Sequence, residues 1–122
     1  MGIIKKGESE MKIIISSEGK DLDSKIAEVF GRCSYFLFVE IEDQKIKEFE
    51  AVENKNINQA GGVGVSVAQM VAEKNAGVVI SGAVGPRALE VLKQFDIQVY
   101  KASGSIKEAI QKFIEGKLQK IL

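Results

Sequence analysis

The chain has 122 residues, of which 45% are hydrophobic and 28% are charged, with 17 Lys and Arg against 17 Asp and Glu. This composition, with one Cys, fits a single globular domain and excludes a disordered tail, a collagen-like chain and a disulfide scaffold. The zero net charge argues against nucleic acid as a partner, and the absence of His excludes Ser-His and Cys-His catalytic pairs.

The first ten residues are rich in charged and small side chains, and they precede the first apolar run. We expect residues 1–10 to form a disordered extension and residues 11–122 to form the single domain. No apolar run approaches the roughly 18–20 residues of a membrane span, and the N-terminus lacks the apolar stretch of a signal peptide. A cytoplasmic protein without a membrane partner is therefore expected.

The first half of the chain predicts three strands and a short helix. Three consecutive isoleucines at residues 13–15 are typical of a strand buried on both faces. The spacing that follows predicts a short helix ending at Gly31, with four inward residues: Leu22, Ile26, Val29 and Phe30. Residues 34–41 are expected to form an aromatic-rich strand, and residues 42–45 a hairpin turn into a charged edge strand at residues 46–52.

The second half alternates between helices and strands. Valines and Met70 at helical spacing predict a helix that starts near residue 63, and residues 78–80 predict a buried strand. Pro86 is suited to the first turn of the next helix, and residues 97–100 predict a fifth strand. A capping-box pattern at residues 105–108 opens the last helix. The order of elements indicates an α/β fold with helices on both faces of one sheet.

Three short segments predict loops that could hold an anion: residues 16–19, 61–64 and 82–85. Glycine lets the backbone approach a ligand closely, and a helix N-terminus presents unpaired N–H groups. The glycines concerned are Gly61, Gly62, Gly64, Gly82 and Gly85. A purely structural role in turning the chain and capping helices fits the same residues, because the G-x-G-x-x-G spacing of dinucleotide-binding loops is absent.

Arg32 and Cys33 lie between the predicted short helix and the second strand. The arginine fork suits either an anionic ligand or a carbonyl group of the protein itself. The lone thiol fits a small buried residue, a nucleophile activated by Arg32, or one ligand to a cluster shared with a partner. Ser16, Ser17 and Ser81 end strands without an available base, so they are interpreted as hydrogen-bonding residues. Two-metal hydrolysis is disfavoured, since the first and fourth strands lack carboxylates.

Several segments, taken in order, resemble the dinitrogenase iron-molybdenum cofactor biosynthesis family of nitrogenase accessory factors. The resemblance covers about residues 11–118 and rests on Met11-Lys-Ile-Ile-Ile, Leu22 with Lys25-Ile26, Phe30-Gly31-Arg32 before Tyr35-Phe36, residues 61–64, Gly82 with Gly85-Pro86, and residues 113–118.

This resemblance implies a three-layer α/β/α fold of the ribonuclease H-like type. Its five-stranded mixed sheet has the order 3-2-1-4-5, with strand 2 antiparallel to the others. Such a topology would bring five segments to one edge of the sheet, where open α/β sheets bind ligands. The segments are residues 16–20, Arg32 with Cys33, and residues 54–64, 82–85 and 102–104.

The resemblance also implies a non-enzymatic protein that binds or carries an iron-sulfur or iron-molybdenum cofactor precursor and meets a cluster donor or acceptor protein. The candidate binding residues are Arg32, Cys33, Gly61, Gly62, Gly64, Ser81, Gly82 and Gly85. The resemblance does not imply that this chain ligates a metal directly, because residues 56–59 hold no His where many family members have one. The alternative is a regulatory or interaction module that binds a small anion or a partner protein at the same edge.

Overall fold

A computed structural model describes residues 10–55, 57 and 61–122 of the chain. The first strand begins at Glu10, one residue earlier than the predicted start of the domain. The remainder of the predicted extension lies outside the described residues, and its disorder stays a prediction.

One mixed sheet of six strands organises the described residues, in the order β3-β2-β1-β4-β5-β6. The elements, in chain order, are β1 (Glu10–Ser17), β2 (Tyr35–Glu42), β3 (Lys45–Glu53), α1 (Val63–Glu73), β4 (Val78–Ser81), α2 (Pro86–Gln94), β5 (Gln98–Lys101), α3 (Ile106–Ile114) and β6 (Gln119–Lys120).

The predicted strand order and directions are confirmed. β2 pairs antiparallel with β1, whereas β1, β4 and β5 run parallel. The carboxyl ends of the three parallel strands therefore share one edge with the start of β2. The structure adds β6, a strand of two residues that pairs antiparallel with β5.

Helices cover both faces of the sheet. α1 and α2 pack on the face that carries Ile14 and Val79, while α3 packs on the face that carries Ile13 and Ile15. The β-branched run at residues 13–15 is fully buried because each face of β1 has its own helical layer. The predicted α/β/α layering is thus confirmed.

The hairpin between β2 and β3 turns through Asp43 and Gln44, whose φ angles are 53° and 65°. Two successive left-handed residues form the tight connection whose twist matches that of the flanking strands. This turn confirms the predicted hairpin. It also places the charged strand β3 at the exposed edge of the sheet.

The predicted helix over residues 21–31 is wrong. This stretch forms turns and isolated bridges, and its backbone N–H groups donate to distant carbonyls instead of to carbonyls four residues earlier. Ile26 N, for example, donates to Gly104 O at 2.9 Å. Ile26 and Phe30 are buried as the helical spacing suggested, whereas the prediction that Val29 faces inward is wrong, because it is 46% exposed. Tertiary hydrogen bonds, not helical ones, determine the backbone conformation of this segment.

Candidate functional site at the carboxyl edge of the sheet

A covering segment, residues 26–30, crosses the carboxyl edge of the sheet. It is held by backbone hydrogen bonds to β1, to the β4–α2 loop and to the loop before α3. These bonds are Ile26 N to Gly104 O (2.9 Å), Ala27 N to Ser16 O (2.9 Å), Gly82 N to Ala27 O (3.1 Å), Ala83 N to Glu28 O (2.6 Å) and Phe30 N to Ala83 O (2.8 Å). The structure therefore brings together segments from four parts of the chain.

Gly82 allows the covering segment to approach β4 closely. A Cβ atom at Gly82 would overlap the carbonyl oxygen of Glu28 and would lie 2.8 Å from the carbonyl oxygen of Ala27. The amide of Gly82 already donates to Ala27, so in this conformation it is not available to a ligand. The structure gives Gly82 a packing role.

The covering segment lies over the strand ends, at the edge of the sheet where the sequence predicts a ligand site. Ile26, Ala27 and Phe30 of the covering segment are buried there and fill the space. Backbone groups at the carboxyl ends of the strands need hydrogen-bond partners, and the covering segment supplies them from within the chain. A ligand must therefore bind on the outer side of the covering segment, or beneath it after the segment moves.

Asn54 holds the turn that follows the covering segment. Its buried side-chain Nδ2 donates to Gly31 O and to Cys33 O, both at 2.9 Å, and its backbone N–H donates to Ser34 O. Residue-by-residue inspection of the sequence did not single out Asn54. It is one polar residue in a polar loop, and only its burial shows that it organises residues 31–34.

The first turns of α1 and α2 begin side by side at this edge. Gly31, with a φ of 90°, brings its backbone against Gly64, and a Cβ at Gly64 would lie 3.2 Å from that of Ala88. Gly31 and Gly64 thus allow the turn, α1 and α2 to pack closely. We call the exposed surface formed by this turn and the two helix starts the rim.

Among the described residues, no side chain caps either helix start at the rim. Gly62 precedes α1 and Gly85 precedes α2, and no described side chain accepts a hydrogen bond as a cap of either helix. By contrast, Ser105 caps α3 by accepting from Glu108 N at 3.1 Å, as the capping-box pattern predicted. Within the described part of the chain, the first-turn N–H groups of α1 and α2 therefore lack helical and side-chain partners, apart from Pro86, which has no N–H, and both dipoles favour an anion at the rim.

Arg32 lies on the surface beside these helix starts. Its Nη1 donates to Ile57 O at 2.8 Å, which anchors the guanidinium next to the loop that leads into α1. Val29 of the covering segment pairs with Ala83 in the β4–α2 loop and is 46% exposed. Gly61, Gly62 and Gly85 are exposed as well. The rim combines a guanidinium, two helix N-termini and a small apolar surface.

Cys33 points away from this surface and is 2% exposed. Burial raises the pKa of its thiol above the ordinary value, and the nearby Ser17 backbone and Ser16 hydroxyl, which would stabilise the thiolate, offset this only in part. A neutral buried thiol is a poor nucleophile. Of the sequence-derived roles for Cys33, that of a small buried residue fits the ligand-free structure.

We predict that Cys33 resists alkylation in the folded protein. With iodoacetamide at neutral pH, labelling is expected to be at least about 100-fold slower than in urea-unfolded chains, because burial limits access and keeps the thiol protonated. Because the folded-state pKa is raised, ionisation of Cys33 lowers stability only as pH rises past the thiol's ordinary pKa. Equal labelling rates, followed by mass spectrometry, would contradict the burial of Cys33.

Two buried serines end neighbouring parallel strands beneath the covering segment. Ser16 is 1% exposed and Ser81 is 0% exposed, and within the described residues neither hydroxyl has a satisfied hydrogen bond, although that of Ser16 lies beside the Cys33 thiol. The adjacent Ser17 differs, since its Oγ donates to Gly19 O at 2.7 Å. A buried hydroxyl without a partner costs about 1–3 kcal/mol.

Among the described residues, no group of three or more Cys, Asp or Glu side chains is arranged to hold a metal ion. Residues 56, 58, 59 and 60 lie outside the described residues, and the chain contains no His. Within the same described ranges, no helix has the length and apolar character needed to cross a membrane.

Comparisons with known proteins find relatives over most of the chain. The family model described as dinitrogenase iron-molybdenum cofactor matches residues 11–116. The uncharacterized protein MJ0580 of Methanocaldococcus jannaschii is 42% identical over 99 residues, which are 80% of this chain and 84% of that protein.

Solved structures share the fold. The apo form of the orange protein from Desulfovibrio gigas aligns with a TM-score of 0.82 at 29% identity, over 91% of this chain and 92% of that chain. The crystal structure of MJ0327 from Methanocaldococcus jannaschii aligns with a TM-score of 0.72 at 29% identity, over 92% of this chain and 95% of that chain.

Proposed function

Because the chain belongs to the dinitrogenase iron-molybdenum cofactor family, which implies a role in the biosynthesis or binding of that cofactor, we propose that it is a non-enzymatic carrier. Its cargo is an anionic metal-sulfur cluster or a precursor of the iron-molybdenum cofactor. The cargo binds at the rim, is held without direct ligation by the protein, and passes to an acceptor protein in the cytoplasm.

The observation that carries this proposal is the meeting of Arg32 with the uncapped starts of α1 and α2. Metal-sulfur clusters and thiometallates are anions, and a guanidinium with oriented backbone N–H groups is a general anion receptor. The exposed Val29 offers apolar contact to the weakly hydrated sulfur surface of such an anion. These features support binding by charge and shape.

The same part of the fold supports a role without catalysis. Ser16 and Ser81, beneath the covering segment, have no hydrogen-bonded base among the described residues, and the chain has no His. The only described thiol is buried and kept neutral. Binding and release are therefore the whole of the proposed activity.

The direct test uses tetrathiomolybdate, a soluble and coloured molybdenum-sulfur dianion. Under anaerobic conditions, we expect it to co-elute with micromolar protein in gel filtration and to change its visible absorbance. Failure to co-elute, together with calorimetric binding of a nucleotide or a phosphorylated metabolite, would replace the carrier role with that of a small-anion module.

Replacing Arg32 by Ala is expected to weaken tetrathiomolybdate binding roughly 10- to 100-fold, since hydrogen bonds to a charged partner contribute about 1.5–3 kcal/mol. Arg32→Lys keeps the charge but loses the planar fork, so an intermediate loss is expected.

The matched control is Lys93→Ala, which removes one positive charge from the last turn of α2, far from the helix start. It should leave binding unchanged. If Lys93→Ala weakens binding as much as Arg32→Ala, net charge and not the rim governs the interaction.

A further inference from the structure

The two unpartnered hydroxyls of Ser16 and Ser81 lie next to each other in the sheet. β1 and β4 pair in register at Ile15 and Ile80, and the serines are the next residue on each strand. Strands in a sheet are about 4.8 Å apart, so the two positions are neighbours. Neighbouring hydroxyls normally satisfy each other or a nearby carbonyl, and these do neither.

Both hydroxyls are on the sheet face that carries the helix starts. Side chains two residues apart on a strand share a face, so Ser16 follows Ile14 and Ser81 follows Val79 onto the face covered by α1 and α2. Cys33 belongs to the same cluster of buried residues, and the Ser16 hydroxyl lies beside its thiol. Three donors therefore gather directly inside the rim, beneath the covering segment.

Folding alone does not account for this arrangement. Alanine would fill either position without leaving a hydroxyl unpaired, and the neighbouring Ser17 shows that a buried serine at this edge can bond locally. Ser16 and Ser81 lack protein partners among the described residues, so a group from outside the chain would complete their pairing.

We propose that Ser16, Ser81 and Cys33 form an inner subsite that receives one terminal oxygen or sulfur atom of a small tetrahedral anion. The proposal rests on the proposed function and specifies its ligand: the anion is bound partly inside the fold, with Arg32 and the helix starts outside. The covering segment must lift for entry, and its few backbone hydrogen bonds to Ser16, Gly82 and Ala83 then re-form over the bound atom.

The test compares the wild-type chain with Ser16→Ala, Ser81→Ala and the double variant, with and without molybdate or tetrathiomolybdate. Without a probe, each single variant is expected to raise Tm by about 3–6 °C, because an unpaired hydroxyl is removed. With a probe, the double variant should bind roughly 10- to 100-fold more weakly. Greater loss for molybdate indicates that the subsite receives oxygen, and greater loss for tetrathiomolybdate indicates sulfur.

Ser17→Ala is the matched control, since Ser17 is equally buried but points to the opposite face and has partners. It should lower Tm and leave affinity for both probes unchanged. An inner subsite thus has a signature that no structural serine shares: higher stability with weaker binding.

Three results overturn the inference. If the alanine variants lower Tm in the absence of probe, the hydroxyls serve the fold, for example through a bound water molecule. If the double variant binds both probes as tightly as the wild-type chain, the rim alone holds the anion and the proposed function stands without the inner subsite. If the wild-type chain binds neither probe, the proposed function fails and the inner subsite fails with it.

Discussion

Replacing Gly82 by Ala is expected to destabilise the protein by about 2–4 kcal/mol. The added methyl group would overlap the carbonyl of Glu28, with 2.7 Å to its carbon, and these backbone atoms cannot rotate away as a side chain would. Overpacking costs about 1–3 kcal/mol, and displacing the covering segment also breaks hydrogen bonds worth about 0.5–1.5 kcal/mol each. Urea unfolding followed by circular dichroism measures the change.

Gly85→Ala is the control for that experiment. Gly85 belongs to the same loop, has a φ of −67°, and has nothing within 4 Å of an added Cβ. Its substitution should change stability by less than about 1 kcal/mol. Equal effects of the two substitutions would mean that loop flexibility, and not the close approach of residues 27 and 28, makes glycine necessary at residue 82.

Replacing Asn54 by Ala is expected to lower the free energy of unfolding by about 2–4 kcal/mol and to weaken anion binding by up to the roughly 10- to 100-fold expected for Arg32→Ala. Two buried carbonyls, those of Gly31 and Cys33, lose their donor at once. Each unpaired group costs about 1–3 kcal/mol. Because the same turn carries Arg32, the guanidinium loses its fixed position when the turn loosens. Thermal unfolding and tetrathiomolybdate co-elution measure the two effects.

Asn54→Asp sharpens the prediction, since it keeps the size of the side chain and replaces the donating amide by an acceptor. A carboxylate facing two carbonyls is repelled at neutral pH, so this variant should be at least as unstable as Asn54→Ala and should recover stability as pH falls and the carboxyl is protonated. Lys55→Ala, at the exposed next residue, should behave as wild type. A stable Asn54→Asp variant at pH 7 would show that the two hydrogen bonds do not hold the turn.

Local patterns were sufficient to predict most of the fold. The isoleucines of β1 and the run at Val78–Ser81 are buried on both faces, and apolar spacing located the inward faces of all three described helices. Strand order and the direction of β2 came only from the family resemblance, because pairing partners leave no mark on a single strand's composition. β6 was not predicted, since its two residues are exposed and carry no periodic pattern.

The error at residues 21–31 has a physical cause. Leu22, Ile26, Val29 and Phe30 have helical spacing, but their segment must satisfy the open backbone groups at the ends of β1 and β4. A bridging loop that buries alternate apolar residues can imitate a helical pattern over so few residues. The helix was therefore wrongly predicted for the segment that closes the sheet edge.

The sequence and the family topology predicted only part of the site. The convergence of Arg32, the start of α1 and the β4–α2 loop followed from topology, and the structure brings them together. That Gly82 and Cys33 face inward while Arg32 faces outward could not be known, since it depends on the path of residues 26–34. Whether any of the eight candidate residues contacts a ligand stays a prediction.

The hydrogen bond from Ile26 to Gly104 limits how early in synthesis the proposed carrier could bind its cargo. The β2–β3 hairpin joins residues close in sequence and can form early, whereas closing the sheet edge joins residues nearly eighty positions apart, a slow, non-local step. On the ribosome, this step must wait until residue 104 has been synthesised and has left the exit tunnel. Binding of the proposed cluster is therefore expected to follow translation. A nascent chain that lacks the closed sheet edge would then not capture a reactive cluster that it cannot yet enclose.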